Sequence, residues 1–288
     1  MGTYVVTGAA SGMGRATADR LRADGHEVIG VDLAGAEVSA DLSTPGGRAA
    51  CVAEVLDLCD GSLDGAVAAA GLGGVPGRDR LIMAVNMLGV CEVLEALQPA
   101  LARAGSAKVV VVSSNSTTLT PLVPAALVRA LLARDLDRAM RVLRIFGKRS
   151  APFAYAGSKL AVARWVRRTA VRDDWAGAGI RLNAIAPGIV QTPLLDEQIA
   201  AGEKDAVEGL PVPVRRRGTA GEMAEWITFL LSPAADFLCG AVVFVDGGTD
   251  AYFRPDDWPA SSGPAGVSNY LRRTRAWRAS RARDHSLA

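Results

Sequence analysis

Apolar and polar positions alternate in two rhythms along this chain. Compact apolar runs predict strands near residues 3–7, 27–32 and 65–70, with a short one near 37–40. Between them, apolar residues recur at helical spacing near 12–24, 46–59 and 81–104. That order predicts βαβ units, and hence a parallel sheet covered by helices on both faces. The run Lys108-Val109-Val110-Val111-Val112 strengthens the reading, because four consecutive valines suit a strand buried on both sides. Ile180 to Ala186 and Ala241 to Val245 supply two more strands. The expected fold class is α/β, a doubly wound parallel sheet of about seven strands, with no internal repeat and no second domain of similar size.

Two stretches break the rhythm. Forty residues separate Ser114 from Tyr155, and within them Leu127, Leu131, Leu132, Leu136, Met140 and Leu143 keep helical spacing over about 124–146. This predicts a helical insertion, of one or two helices, spanning about 115–151. After Asp256 the chain turns rich in Pro, Ser, Gly and Arg, and reads as an extension outside the fold. The expected organisation is a single domain over 1–255 and an Arg-rich extension over 256–288.

Composition narrows the class. Half of the 288 residues are apolar, which suits a large globular core. The four cysteines, Cys51, Cys59, Cys91 and Cys239, form no CxxC pair, and His26 and His285 lie near opposite ends, so neither a disulfide framework nor a metal site is expected. The chain enters an apolar strand at Tyr4 without a leader pattern, and no uninterrupted apolar run reaches the roughly 18 residues of a membrane span. A reduced, cytoplasmic protein is expected, with no membrane partner. Net charge is +2, but residues 272–288 alone carry six Arg and one Asp, leaving the remainder at −3. Short charged termini are ordinarily solvated or disordered, so nucleic acid is not counted among the expected partners.

The chemistry begins at Thr7-Gly8-Ala9-Ala10-Ser11-Gly12-Met13-Gly14, which ends the first strand and opens the first helix. In that context the glycines mark a dinucleotide site of the Rossmann type. Gly8 allows the tight turn, and Gly12 and Gly14 let backbone approach a pyrophosphate at the helix N-terminus, where Ser11 and Met13 also lie. Asp32 ends the second strand, twenty residues after Gly12, where a carboxylate accepts both ribose hydroxyls and repels a 2′-phosphate. The expected cofactor is therefore NAD. Asp41 and Leu42 are placed to flank the adenine, and the Ala69-Ala70-Gly71 turn to pass the ribose.

Tyr155 and Lys159, four apart in Tyr-Ala-Gly-Ser-Lys, share one helix face. A tyrosine hydroxyl has a reference pKa of about 10, so making it a base near neutrality takes roughly 4 kcal/mol of phenolate stabilisation. The lysine ammonium and a positive nicotinamide are suitable sources. Ser114, following the valine strand, presents its hydroxyl at the carboxyl end of the sheet, where open α/β folds bind ligands. Asn86 is placed to hold a water that links the lysine to solvent. Each residue alone has a duller reading, as surface packing, a strand-end turn or a helix cap; their joint order behind a nucleotide loop carries the inference.

These motifs, together with Ala186-Pro187-Gly188, Thr192 and Asp246-Gly247-Gly248, resemble the short-chain dehydrogenase/reductase family over residues 2 to about 250. The resemblance implies that Tyr155 is the general acid/base, that Lys159 binds the nicotinamide ribose and lowers the tyrosine pKa, that Ser114 positions the substrate oxygen, and that Asn86 completes a proton relay. It places Pro187, Gly188, Ile189 and Thr192 at the nicotinamide, with Ile189 and Thr192 fixing its carboxamide. The insertion, Ala36 to Thr44, Leu72 and Gly247 to Ala251 with Arg254-Pro255 are similar to a bacterial subgroup of 3-alpha-hydroxysteroid dehydrogenase/carbonyl reductases, which coniferyl alcohol dehydrogenases also resemble. In Ala68-Ala69-Ala70-Gly71 the asparagines most members carry are missing.

The expected activity is NAD(H)-dependent interconversion of an apolar alcohol and its carbonyl. The apolar loop Ile189 to Leu195, with Ile199, Leu210 and Val212, is expected to cover the substrate and exclude water. A different class, an NAD(H)-sensing or interaction protein on the same fold, is disfavoured by the complete tetrad. The resemblance further implies oligomers. Because the insertion feeds into a helix that relatives use for tetramers, a homodimer is expected ahead of a tetramer, with the insertion's apolar face covered by the chain's own body or by the partner.

Overall fold

The computed structural model describes residues 1–257 and 263–285. The strands of the main sheet are β1 (Thr3–Thr7), β2 (Glu27–Asp32), β3 (Val38–Ser39), β4 (Gly65–Ala68), β5 (Lys108–Val112) and β6 (Arg181–Pro187); β7 (Val190–Gln191) and β8 (Gly218–Thr219) pair apart from it, and β9 (Val242–Val245) completes it. Their spatial order is β3-β2-β1-β4-β5-β6-β9, all neighbours parallel, the seven-stranded doubly wound sheet that the pattern predicts.

The register explains the valine run. Val109 and Val111 join the core under the helices Pro45–Leu58, Asp79–Arg103 and Ser150–Thr169, while Val110 and Val112 join the core under Gly12–Ala23 and Ala220–Leu231. A strand buried on both faces has no polar side to spare. The helix starts are locally encoded. Thr44 accepts the Gly47 N–H at 3.0 Å with Pro45 in the first turn, and Thr219 with Glu222 forms a reciprocal capping box.

Helix Asp79–Arg103 is long and apolar enough to cross a membrane by length and composition, although charged residues interrupt its apolar run; 67% of its most apolar stretch is buried in the body, as in a core helix. It widens into a π-turn at Ala84–Leu88, the segment that carries Asn86.

The insertion is helical, in more pieces than expected: Ser116–Leu119, Ala125–Leu132, Leu136–Leu143 and a 3-10 stretch Arg144–Arg149 that runs into Ser150–Thr169. Leu127, Leu131 and Leu143 are fully buried, and Leu132, Leu136 and Met140 pack partly buried against the same core. The chain's own body covers this face. Gly157 is what lets it dock: a Cβ there would lie 2.6 Å from Leu127 Cδ2. The insertion thus buttresses the helix that carries Tyr155 and Lys159.

The chain divides into two compact units, Met1–Asp250 and Ala251–Ala288. The described residues of the second include a helix, Pro264–His285, which the composition of the extension did not predict.

Candidate active site

The carboxyl ends of β1, β2, β4 and β5 open onto a cleft of about 660 Å³. Gly8, Ser11, Gly12, Met13, Gly14, Asp32, Asp41, Leu42, Ala70, Gly71, Tyr155, Lys159 and Thr192 all line it. The nucleotide end is set by backbone geometry. Gly8 turns at φ 73°, and a Cβ there would come 2.8 Å from Ala70 N; a Cβ on Gly14 would sit 2.1 Å from Gly8 O. Asp32 Oδ2 accepts the Ala10 N–H at 3.0 Å and Oδ1 the Leu33 N–H at 2.7 Å. Each oxygen keeps a lone pair for a further donor, such as a ribose hydroxyl. The Asp41 carboxyl accepts the Ser43 N–H at 2.9 Å, and its hydrogen bonding to Ser43 holds it below the usual carboxylate range.

At the other end four elements converge. Lys159 reaches down from its helix to donate to Val112 O at the end of β5, 2.8 Å away, and Ser113 Oγ donates back to Lys159 O at 3.1 Å. Among the described residues no carboxylate pairs with the ammonium, and burial lowers the lysine pKa from 10.5 to about 8. The Tyr155 and Ser114 hydroxyls are hydrogen-bonded; burial pushes the tyrosine pKa up, and the Ser114 bond pulls it the other way. Ser116 N–H donates to Ser114 Oγ at 3.1 Å and fixes that hydroxyl from behind.

Asn86 is fully buried. Its Oδ1 accepts the Leu72 N–H at 2.8 Å, while Nδ2 donates to Leu72 O at 3.0 Å and to Ser158 Oγ at 3.3 Å. It therefore braces the Gly71-Leu72 turn against the Tyr155/Lys159 helix. A Cβ on Gly71 would lie 3.3 Å from Asn86 Oδ1 and 3.4 Å from Lys159 Nζ, so only glycine fits there without pushing on both.

Not every expected residue arrives. Ser114, Asn86, Pro187 and Gly188 are not among the residues lining the cleft, Ser114 and Asn86 standing behind it, and Ile189 lines a second cavity of about 290 Å³ with Val212, Trp226 and Glu222. The chain leaves β6 and turns into the short β7 before Thr192, which carries Ile189 to the second cavity, where Val212 also lies. Thr192 caps the helix Pro193–Gln198, and that helix closes the cleft instead, with Pro193, Leu194 and Glu197 facing in.

Sequence reading also missed Arg78, which lines the cleft and pairs with Glu197 at 2.7 Å across its mouth, and Ser158, which joins Asn86 to the Tyr155 carbonyl at 2.7 Å. The unused signal for Ser158 was its place beside Lys159. Arg78 and Glu197 carry no local signal of their partnership.

A strand order reversing between β1 and β4, a glycine turn at that switch point and a Tyr–Lys helix facing it define a nucleotide-dependent oxidoreductase architecture. The chain belongs to the short-chain dehydrogenase/reductase family: the short chain dehydrogenase family model matches residues 3–125, and the model described as Enoyl-(Acyl carrier protein) reductase matches 140–250. The stretch between the two matches falls within the insertion, and both end by residue 250.

Among individual relatives, the 3-alpha-hydroxysteroid dehydrogenase/carbonyl reductase of Comamonas testosteroni is 40% identical over 260 residues, covering 88% of this chain and 99% of the relative. The coniferyl-alcohol dehydrogenase of a Pseudomonas species is 32% identical over 258 residues, covering 85% and 94%. The crystal structure of the 3-alpha-hydroxysteroid dehydrogenase from Pseudomonas sp. B-0831, complexed with NADH, superposes with a TM-score of 0.83 at 44% identity, covering 88% of this chain and 99% of that one.

Proposed function

We propose that this chain is an NAD(H)-dependent dehydrogenase/reductase that interconverts a secondary or allylic alcohol on an apolar molecule and the corresponding carbonyl. The observation that carries the reading is the meeting of Tyr155, hydrogen-bonded to Ser114, with the buried Lys159 at one end of a cleft whose other end holds Asp32, Asn86 bracing the turn behind them through Ser158.

The residues present fit a dinucleotide. Gly8 and Gly14 remove the Cβ atoms that would fill the pyrophosphate turn, and Asp32 offers the ribose a carboxylate pinned by two backbone donors. Among the residues lining the cleft the basic ones are Lys159 and Arg78, the latter already paired with Glu197, so no free cation beside Asp32 awaits a 2′-phosphate. When bound, the nicotinamide accepts or gives the hydride.

This chain's own groups handle the proton. With its pKa above the ordinary 10.0, Tyr155 is a protonated donor in the free chain, poised to give its proton to a carbonyl oxygen held by Ser114. In the oxidative direction it must lose that proton, and the Lys159 ammonium four residues on stabilises the phenolate. A lysine titrating at about 8 stays cationic at neutral pH yet is close enough to its pKa to relay protons. Asn86 holds the inner end of that relay in place. The cleft walls at Leu72, Leu81, Val85, Pro193 and Leu194 suit an apolar substrate.

The setting we assign is the reducing cytoplasm, supported by four free cysteines, and the assembly a homodimer, tested by sedimentation against a tetramer. Reduction of NAD⁺ followed by absorbance, scanned against steroid, monolignol and terpene alcohols, tests the reading. Turnover of a hydroxysteroid or another apolar secondary alcohol is expected. Preference for an aryl allylic alcohol moves the substrate toward the coniferyl-alcohol dehydrogenase relative, and NAD⁺ binding without turnover of any alcohol makes the chain a nucleotide sensor.

A further inference from the structure

We propose that Thr118 and Asp250 are positioning residues for the reaction: with Asp246 they hold, from behind, the turn that presents the Ser114 hydroxyl to Tyr155. The inference rests on the dehydrogenase reading and extends the machinery to residues that do not line the cleft.

β5 ends two residues before Ser114, so the turn that follows must fix where its hydroxyl points. Within that turn the Thr117 N–H and Oγ1 donate to Ser114 O at 3.2 and 2.9 Å, and the Thr118 and Leu119 N–H groups donate to Asn115 O at 3.0 and 3.1 Å. These bonds shape the turn, but they move with it. Anchorage comes from elsewhere. Asn115 N–H donates to Pro187 O at 2.9 Å, Asn115 Nδ2 approaches Asp246 Oδ2 at 3.4 Å, and Thr118 Oγ1 donates to Asp250 Oδ1.

The two carboxylates stand on a seat that is already built. Asp246 Oδ1 accepts the Gly248 N–H at 3.0 Å, its Oδ2 accepts the Asp250 N–H at 2.7 Å, and Thr249 Oγ1 donates to Asp246 O at 2.9 Å. A Cβ on Gly188 would lie 2.7 Å from Asp246 Cβ, so the chain leaving β6 packs closely against the same aspartate. Asp250 is buried on this seat, where a charged acceptor binds a hydroxyl more strongly than a carbonyl does. The Thr118 hydroxyl has one proton, and it also lies 3.1 Å from Asn115 O; the carboxylate is the stronger claimant.

What the anchor controls is the Ser116 N–H, which donates to Ser114 Oγ at 3.1 Å. If the turn slides, that donor moves, and the hydroxyl that holds the substrate oxygen beside Tyr155 moves with it. Small displacements of such a group cost rate rather than cofactor binding.

Steady-state turnover of the full-length protein tests this through a double-mutant cycle. Thr118→Val replaces the hydroxyl by a methyl; kcat should fall about threefold to tenfold, with NADH affinity within about twofold of the parent. Thr118→Ser, which returns the hydroxyl, should recover the parent kcat. In a Ser114→Ala background the same Thr118→Val change should cost less than about twofold, because the hydroxyl it acts through is gone. Thr118→Ala, which puts no methyl beside Asp250, should repeat the pattern of Thr118→Val. Parent-like kcat in both Thr118→Val and Thr118→Ala, failure of Thr118→Ser to recover it, or an equal loss with and without the Ser114 hydroxyl overturns the proposal while leaving the dehydrogenase reading intact. A harmless Ser114→Ala, or a parent that turns over no alcohol, contradicts the dehydrogenase reading itself and removes this inference with it.

Discussion

Two buried lysines sit at opposite ends of the same strand, and their surroundings separate structure from chemistry. Lys108 opens β5 at the amino end of the sheet, where its ammonium pairs with Asp236 at 2.8 Å. Lys159 meets the carboxyl end of β5 through the Val112 carbonyl, with no carboxylate paired to it among the described residues. A fold that wanted only a tether would pair both. Leaving one cation unneutralised next to Tyr155 lowers stability and supplies an electrostatic resource, and it sits where open α/β sheets bind ligands.

The sharpest way to break this comparison is to replace each lysine by an isosteric apolar side chain. Lys159→Met should lower kcat by roughly 10² or more, whereas Lys108→Met should leave it within about twofold; comparable losses in both would erase the distinction between the two ends. Stability should move the opposite way. The Lys159 pKa is lowered on folding from 10.5 to about 8, so the buried charge opposes folding in full below pH 8, and that penalty is relieved as pH rises from 8 to 10.5. Chemical denaturation at pH 7 should therefore find Lys159→Met more stable than the parent by about 2–3 kcal/mol, with the advantage shrinking above pH 8. Lys108→Met should be less stable by at most about 1 kcal/mol, because Asp236 is largely exposed once unpaired.

Smaller effects sharpen the picture at the cleft's two ends. NAD⁺ should exceed NADP⁺ in kcat/KM by roughly tenfold, about 1.4 kcal/mol, and Asp32→Ala should narrow the gap; equal efficiency with both cofactors in the parent would remove Asp32 from the ribose site. Gly71→Ala places a methyl against Asn86 Oδ1 and Lys159 Nζ. A drop in kcat of about threefold to tenfold with NADH affinity kept is expected, and an unchanged kcat would show that the turn yields freely.

What was legible in the sequence follows from where each feature's cause lies. The strand Lys108–Val112 could be read because burial on both faces leaves a continuous valine run, and Tyr155 with Lys159 because their spacing of four is itself the geometry of a shared helix face. Gly8, Gly14 and Asp32 were legible because backbone approach and strand-end placement fix residue type locally. The π-turn at Ala84–Leu88 was not, since the extra residue in the turn carries no signature in residue type. Ile189 and Val212 were assigned to the cover from apolarity alone, which could not tell the cleft from the second cavity. The pair Arg78–Glu197, 119 residues apart, is set only by tertiary closure. Arginine density made Pro264–His285 read as a loose terminus, although arginine is a good helix former.

Tyr155→Phe tests the central claim most directly, because it deletes one oxygen and leaves the aromatic ring in place. NADH binding by fluorescence and alcohol turnover by absorbance would be measured on the same preparation. The account predicts NADH affinity within about threefold of the parent and turnover lower by roughly 10² or more. Turnover equal to the parent's would contradict it and move the proton transfer to another residue.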